Sequence, residues 1–154
     1  MEYAITAFSL LKDDKPSNDG NIYYFLLFDG NKTGVRTYCE SIFAQYHLVK
    51  SNRYLIVLEN SYWEGDDYVF YLLDARCEVL DCMNVIWFEG DPGHIQHYQL
   101  SDDEFCFEKY ENNKKYTLRI SDEGELRYSG ADFKYRALLD FIKPRKFLAL
   151  AVQG

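Results

Sequence analysis

Short apolar runs alternate with polar punctuation along this chain, and almost every run has the length of a strand. "YAITAFSLL" (3–11) is the first, closed by "KDDKPSNDGN", in which Pro16 and Gly20 break the pattern. "IYYFLLF" (22–28) is continuous and aromatic, which predicts a strand buried on both faces. "DGNKTG" turns the chain into "VRTYCES". Residues 42–50, "IFAQYHLVK", fit either a short helix or a strand, with strand favoured, ahead of the central run "RYLIVLEN". "SYWEGDD" is a loop tip before "YVFYLLD". "ARCEVLD" and "MNVIWFE" read as two further strands, and "HIQHYQL" follows the "GDPG" turn.

"FCFEKYE" and "KYTLRIS" form the clearest hairpin, joined by "ENNKK". In the second strand Tyr116, Leu118 and Ile120 alternate with Thr117, Arg119 and Ser121, as a half-exposed strand requires. "SDEGE" is expected to turn next, with Gly124 at a left-handed bulge position. The one helical pattern is "SGADFKYRALLDFIKP". Phe133, Ala137, Leu138 and Phe141 share a helical face, Asp132 or Ser129 caps the start, and Pro144 ends it. "FLALAVQ" closes the chain. The expected fold is mainly β. It is an antiparallel meander of about ten or more short strands, as a sandwich, barrel or propeller-like array of hairpins. One C-terminal amphipathic helix spans about 131–142.

Strand–Asp–turn–strand recurs around 22–38, 68–81 and 116–128, with Asp29, Asp74 and Asp122 at the turns. That spacing is near a propeller blade, but closed propellers use at least about four blades, and hairpin turns favour Asp in any fold. The 154 residues are read as a single globular domain, 1–154.

Charge changes the picture more than length does. The net charge is -8, divided as -11 over residues 1–131 and +3 over 132–154. An acidic surface repels phosphate backbones, so direct nucleic-acid binding is not expected. It steers a basic protein toward itself instead. No apolar run approaches the roughly 18 residues of a membrane span, and the N-terminus has no basic signal-peptide start. Cys39, Cys77, Cys82 and Cys106 form no C-x-x-C pair, and we expect them reduced in a cytoplasm.

The candidate chemistry centres on "EGDPGHIQH" (89–97), with Asp91, His94 and His97. Zinc needs three or four converging ligands. Asp91-Pro92-Gly93-His94 fits a type II turn leading into a strand, where residues three apart face opposite sides. The turn reading therefore prevails over a metal site, and no cofactor is expected. Nucleophile-elbow, P-loop and dinucleotide signatures are absent, so an enzyme is not expected.

What remains is a small acidic cytoplasmic protein-binding module. Its expected contacts are the acidic and aromatic loop tips: Tyr62, Trp63, Glu64, Asp66 and Asp67, then Asp102, Asp103 and Glu104. Aromatic anchors ringed by carboxylates suit a basic protein surface. A bacterial immunity protein, which neutralises a basic toxin or nuclease by covering its active site, has this profile. Two alternatives stand beside it. One is an enzyme or small-ligand binder with a pocket near His94 and His97. The other is a structural or regulatory domain that oligomerises through a strand edge.

Overall fold

A computed structural model of the protein describes residues 3–15, 17–63, 65–86, 93–101, 103–110, 114–125, 128, 132–136 and 145–153. Eleven strands lie among them: β1 Phe8–Lys12, β2 Tyr24–Phe28, β3 Asn31–Thr37, β4 Ser41–Leu48, β5 Arg53–Ser61, β6 Asp66–Leu73, β7 Val79–Val85, β8 Ile95–Leu100, β9 Glu104–Lys109, β10 Lys115–Glu125 and β11 Lys146–Gln153. One helical turn, α1, spans Asp132–Tyr135. The strands form three sheets, ordered β1-β2-β3, β4-β5-β6-β7 and β11-β10-β9-β8. The chain groups into two compact units: residues 1–60 with 68–80, and residues 61–67 with 81–154.

In the first unit, β2 and β3 meet at a two-residue turn, with Phe28 opposite Asn31. Asp29 and Gly30 both adopt positive φ (47° and 82°), the backbone of a type I′ hairpin turn. The outer edge of β1 would leave Phe8 unpaired. Gln45 fills the gap as a surrogate peptide: Phe8 N–H donates to its Oε1 at 2.8 Å, and its Nε2 donates to Phe8 C=O at 3.0 Å. Ahead of β1 the chain continues this edge pairing, with Ala4 bridged to Tyr46. Phe8, Phe28 and Tyr54 close the core beneath, their ring centroids 4.9–5.3 Å apart. Only Leu26 of β2 is buried. The continuous apolar run at 22–28 therefore marks a half-covered strand, and the two-faced burial expected there belongs to Leu55–Leu58 of β5. Deep in this unit Tyr68 O–H donates to Glu59 Oε2 at 2.6 Å, which supplies the partner a buried phenol needs.

Among the described residues the two strands expected at 75–81 and 83–89 are one, β7; residues 87–89 lie outside the described residues. The Asp74 carboxylate accepts the N–H groups of Arg76 (2.9 Å) and Glu78 (3.0 Å). This folds 74–78 into a turn, and extension resumes only at Val79.

In the second unit, β8, β9, β10 and β11 form a meander. Phe105 and Phe107 of β9 and Tyr116 and Leu118 of β10 are buried in phase. The Phe107 and Tyr116 rings stack with centroids 4.8 Å apart. The turn expected at "SDEGE" does not form. β10 runs through it as a bulge, with a register shift between Ile120 and Glu125. Gly124 takes φ 79°, and its N–H donates to Ser121 Oγ at 3.1 Å.

The expected helix at about 131–142 is not borne out. The described part is the single turn α1, and residues 131 and 137–142 lie outside the described residues. Asp132 and Arg136 do not form an exposed polar face. They are buried in an ion network: Arg136 Nε donates to Asp132 Oδ1 at 2.8 Å, and Lys146 Nζ donates to Asp132 Oδ2 at 3.0 Å. Arg136 also forks onto the Asp81 carboxylate. Its carboxylate partners hold the Arg136 pKa above its ordinary value against the opposing effect of burial. Two cations and two anions balance, so no uncompensated charge is buried.

All four cysteines carry free thiols, and Cys106 is the exposed one. Burial pushes the Cys77 thiol pKa up, with a smaller contribution from the Asp74 carboxylate. Thiolate is the reacting form. Iodoacetamide at neutral pH is therefore expected to label Cys106 first, with Cys39 and Cys77 reacting only on unfolding. Peptide mass spectrometry reads the order; early labelling of Cys77 would contradict its buried position.

Candidate interaction site

The segment 61–67 leaves β5 and re-enters at β6 through a tight turn in which Tyr62 N–H donates to Gly65 C=O at 2.8 Å. The turn holds Trp63 98% exposed and Tyr62 exposed beside it. Glu64 lies outside the described residues.

Asp66 and Asp67 are not on the loop tip. They open β6 and are buried, at 3% and 4% exposure. This corrects the expectation of a solvated acid pair. The apolar run "YVFYLL" is drawn into a sheet, and strand pairing begins two residues before it. Asp66 is satisfied across the unit by His94, whose Nδ1 hydrogen-bonds to Asp66 Oδ2. With a carboxylate as acceptor, Nδ1 carries the proton. The His94 side chain stays 69% exposed.

Three constraints fix that imidazole. Asp66 holds the ring. Tyr110 N–H donates to His94 C=O at 2.8 Å, and the Tyr110 ring stacks beside it at 6.3 Å. Gly93, at φ 90°, sits so close to the Tyr110 carbonyl that a Cβ there would lie 1.8 Å from the oxygen.

His97 goes elsewhere. It adopts φ 48° in the irregular stretch of β8 between Gln96 and Gln99, and its Nδ1 pairs with Glu108 Oε2 at 3.2 Å. The two histidines thus take separate carboxylates, the divergence expected from their spacing, although through a bulge and not simple alternation. His47 is paired with Asn52 at 2.9 Å. Asp91 and Pro92 lie outside the described residues, so of the expected type II turn only the positive φ of Gly93 is described. No group of three or more His, Cys, Asp or Glu placed to hold a metal ion occurs among the described residues. No described helix is long and apolar enough to cross a membrane.

The second expected contact cluster lies at the far end of β8. Ser101 N–H donates to Glu104 C=O at 2.9 Å, which closes the β8–β9 turn, with Asp103 exposed in it. Asp102 lies outside the described residues. The six-residue strand β8 separates this turn from His94 by roughly 20 Å at about 3.3 Å per residue. The structure therefore does not bring the two acidic clusters together. It joins Asp66 to His94 and Tyr110, a grouping that chain position alone did not suggest.

Reversing Asp66 to Lys is accordingly expected to destabilise the protein by about 3–5 kcal/mol, because a buried carboxylate is exchanged for a buried ammonium beside an imidazole. Thermal unfolding checks this; an unchanged midpoint would place Asp66 at the surface.

Set against known protein families, curated proteins and solved structures, the chain matches none.

Proposed function

We propose that this chain is a protein-binding module that docks on a basic protein through the Tyr62–Trp63 turn and the adjoining His94. Its proposed role is that of an immunity-type inhibitor in the cytoplasm, covering the active site of a basic toxin or nuclease. The observation that carries the reading is Trp63, a large indole held almost fully in water by a hydrogen-bonded turn. Tryptophans so placed are typical binding hot spots, since burying one against a partner removes a large apolar area from water. The net charge of -8 supplies attraction to a basic surface, and with it a fast, salt-sensitive encounter.

The test begins with affinity capture from the source cells at low salt, followed by binding and inhibition assays on the purified captured protein. Trp63→Ala is expected to raise Kd by about 30-fold or more, mainly through faster dissociation. Added salt is expected to slow association. Equal binding by parent and variant would move the docking surface elsewhere.

One observation favours a second reading, a small-ligand or catalytic site at His94: a buried carboxylate orients an exposed imidazole, as general bases require. Under that reading His94→Gln abolishes the activity while Trp63→Ala leaves it intact.

A further inference from the structure

The chain between β1 and β2 encloses a surface cleft of about 280 Å³. Lys12, Asp14, Lys15, Ser17, Asn21 and Ile22 are among its lining residues. The loop's shape is set by its own hydrogen bonds. Asp13 N–H donates to Tyr23 C=O at 2.8 Å, Gly20 N–H to Ser17 C=O at 3.2 Å, and Ser17 Oγ–H to Asn21 C=O at 2.8 Å. Asp19 collects the Ser17 hydroxyl, the Tyr23 hydroxyl (2.5 Å) and the Asn21 N–H (2.9 Å). These donors, Ser17 foremost, hold its carboxyl far below the usual carboxylate range. Arg36 lies 4.0 Å over the Tyr23 ring and reaches Asp13 Oδ2 at 3.3 Å.

Asp13 and Asp19 are thus engaged in holding the loop. Lys12 and Asp14, by contrast, take no side-chain hydrogen bond or ion pair among the described residues. Ile22 is 55% exposed on the same wall. A preformed cleft with both charge signs and an apolar wall suits a ligand carrying all three groups, because pre-organisation lowers the ordering cost of binding. Its volume lies below the roughly 300–1,000 Å³ of drug-sized sites, which limits the ligand to a small one.

We propose that this cleft binds a free amino acid with an apolar side chain. Lys12 and Lys15 receive its carboxylate, Asp14 receives its ammonium, and Ile22 packs on its side chain. The proposal is independent of the docking surface described above, which lies in the other unit.

The test is a titration of the isotopically labelled full chain with L-leucine, followed by amide NMR. Two controls each remove one charge: 4-methylpentanoate lacks the ammonium, and 3-methylbutylamine lacks the carboxylate. Saturable shifts at Gly20 and Asn21 are expected with leucine, about tenfold tighter than with either control. Lys15→Ala and Asp14→Asn are each expected to weaken leucine binding about tenfold, with the remaining amides unmoved. Both substitutions are at exposed positions. Absence of saturable shifts overturns the proposal. So does equal binding of either single-charge control, which would make the cleft an anion or cation site.

Discussion

Asp81→Ala is expected to lower stability by about 3–5 kcal/mol, the usual cost of removing one partner from a buried ion pair. Asp81 is a hub of the second unit. Its Oδ2 accepts the N–H groups of Phe147 (2.7 Å) and Leu148 (2.8 Å), and its Oδ1 accepts that of Cys82 (2.8 Å). Arg136 adds both terminal nitrogens, Nη2 at 3.1 Å. Truncation strands those backbone donors and leaves Arg136 and Lys146 facing Asp132 alone. For a chain of this size the thermal midpoint should fall by roughly 10 °C. A double-mutant cycle sharpens the test. Adding Arg136→Met removes the surplus cation and leaves the Asp132–Lys146 pair balanced, so the second substitution should cost less in the Asp81→Ala background than in the parent. A coupling of about 1–3 kcal/mol is expected. Additive losses, or an Asp81→Ala protein as stable as the parent, would mean that the network contributes little.

This network also shows where the sequence was legible and where it was not. The strand runs could be read because apolar continuity and alternation are local signals, and β5, β9 and the first half of β10 lie close to where those signals put them. The segment 42–50, whose pattern left helix and strand both open, is β4. The helix was misread because spacing alone registered Phe133, Ala137, Leu138 and Phe141, with Asp132 read as a cap, while the structure buries Asp132 and Arg136 in an ion pair. Their further partners, Asp81 of β7 and Lys146 of β11, lie on other elements, so no local pattern could announce them. One clue was available. Asp81 alternates in phase with Met83 and Val85, both buried, and a carboxylate on the core side of a strand demands a buried cation. Asp66 misled for a related reason. Acid pairs beside Gly read as turns, and only the long-range pairing with His94 shows that this one begins a strand.

Gly93→Ala tests that last pairing and is expected to lower stability markedly. Two separate penalties fall on this position. At φ 90° an alanine loses roughly 1–2 kcal/mol from backbone strain alone. The added methyl also meets the Tyr110 carbonyl oxygen at 1.8 Å and its carbon at 2.8 Å, and these are backbone atoms that no rotamer change can clear. Gly30→Ala separates the two terms. It has φ 82° but nothing within 4 Å of its added methyl, so it carries the strain without the clash. Gly93→Ala should therefore exceed Gly30→Ala by at least about 1–3 kcal/mol, the range for overpacking. The excess must come from the chain at 93–94 moving off Tyr110, which carries His94 away from Asp66 and leaves a buried carboxylate short of its partner. Equal losses at the two glycines, read from denaturant midpoints, would show that Gly93 does not abut Tyr110. If the docking surface is the one proposed, Gly93→Ala also weakens partner binding while Gly30→Ala, in the other unit, does not, because only Gly93 positions the imidazole next to the Trp63 turn.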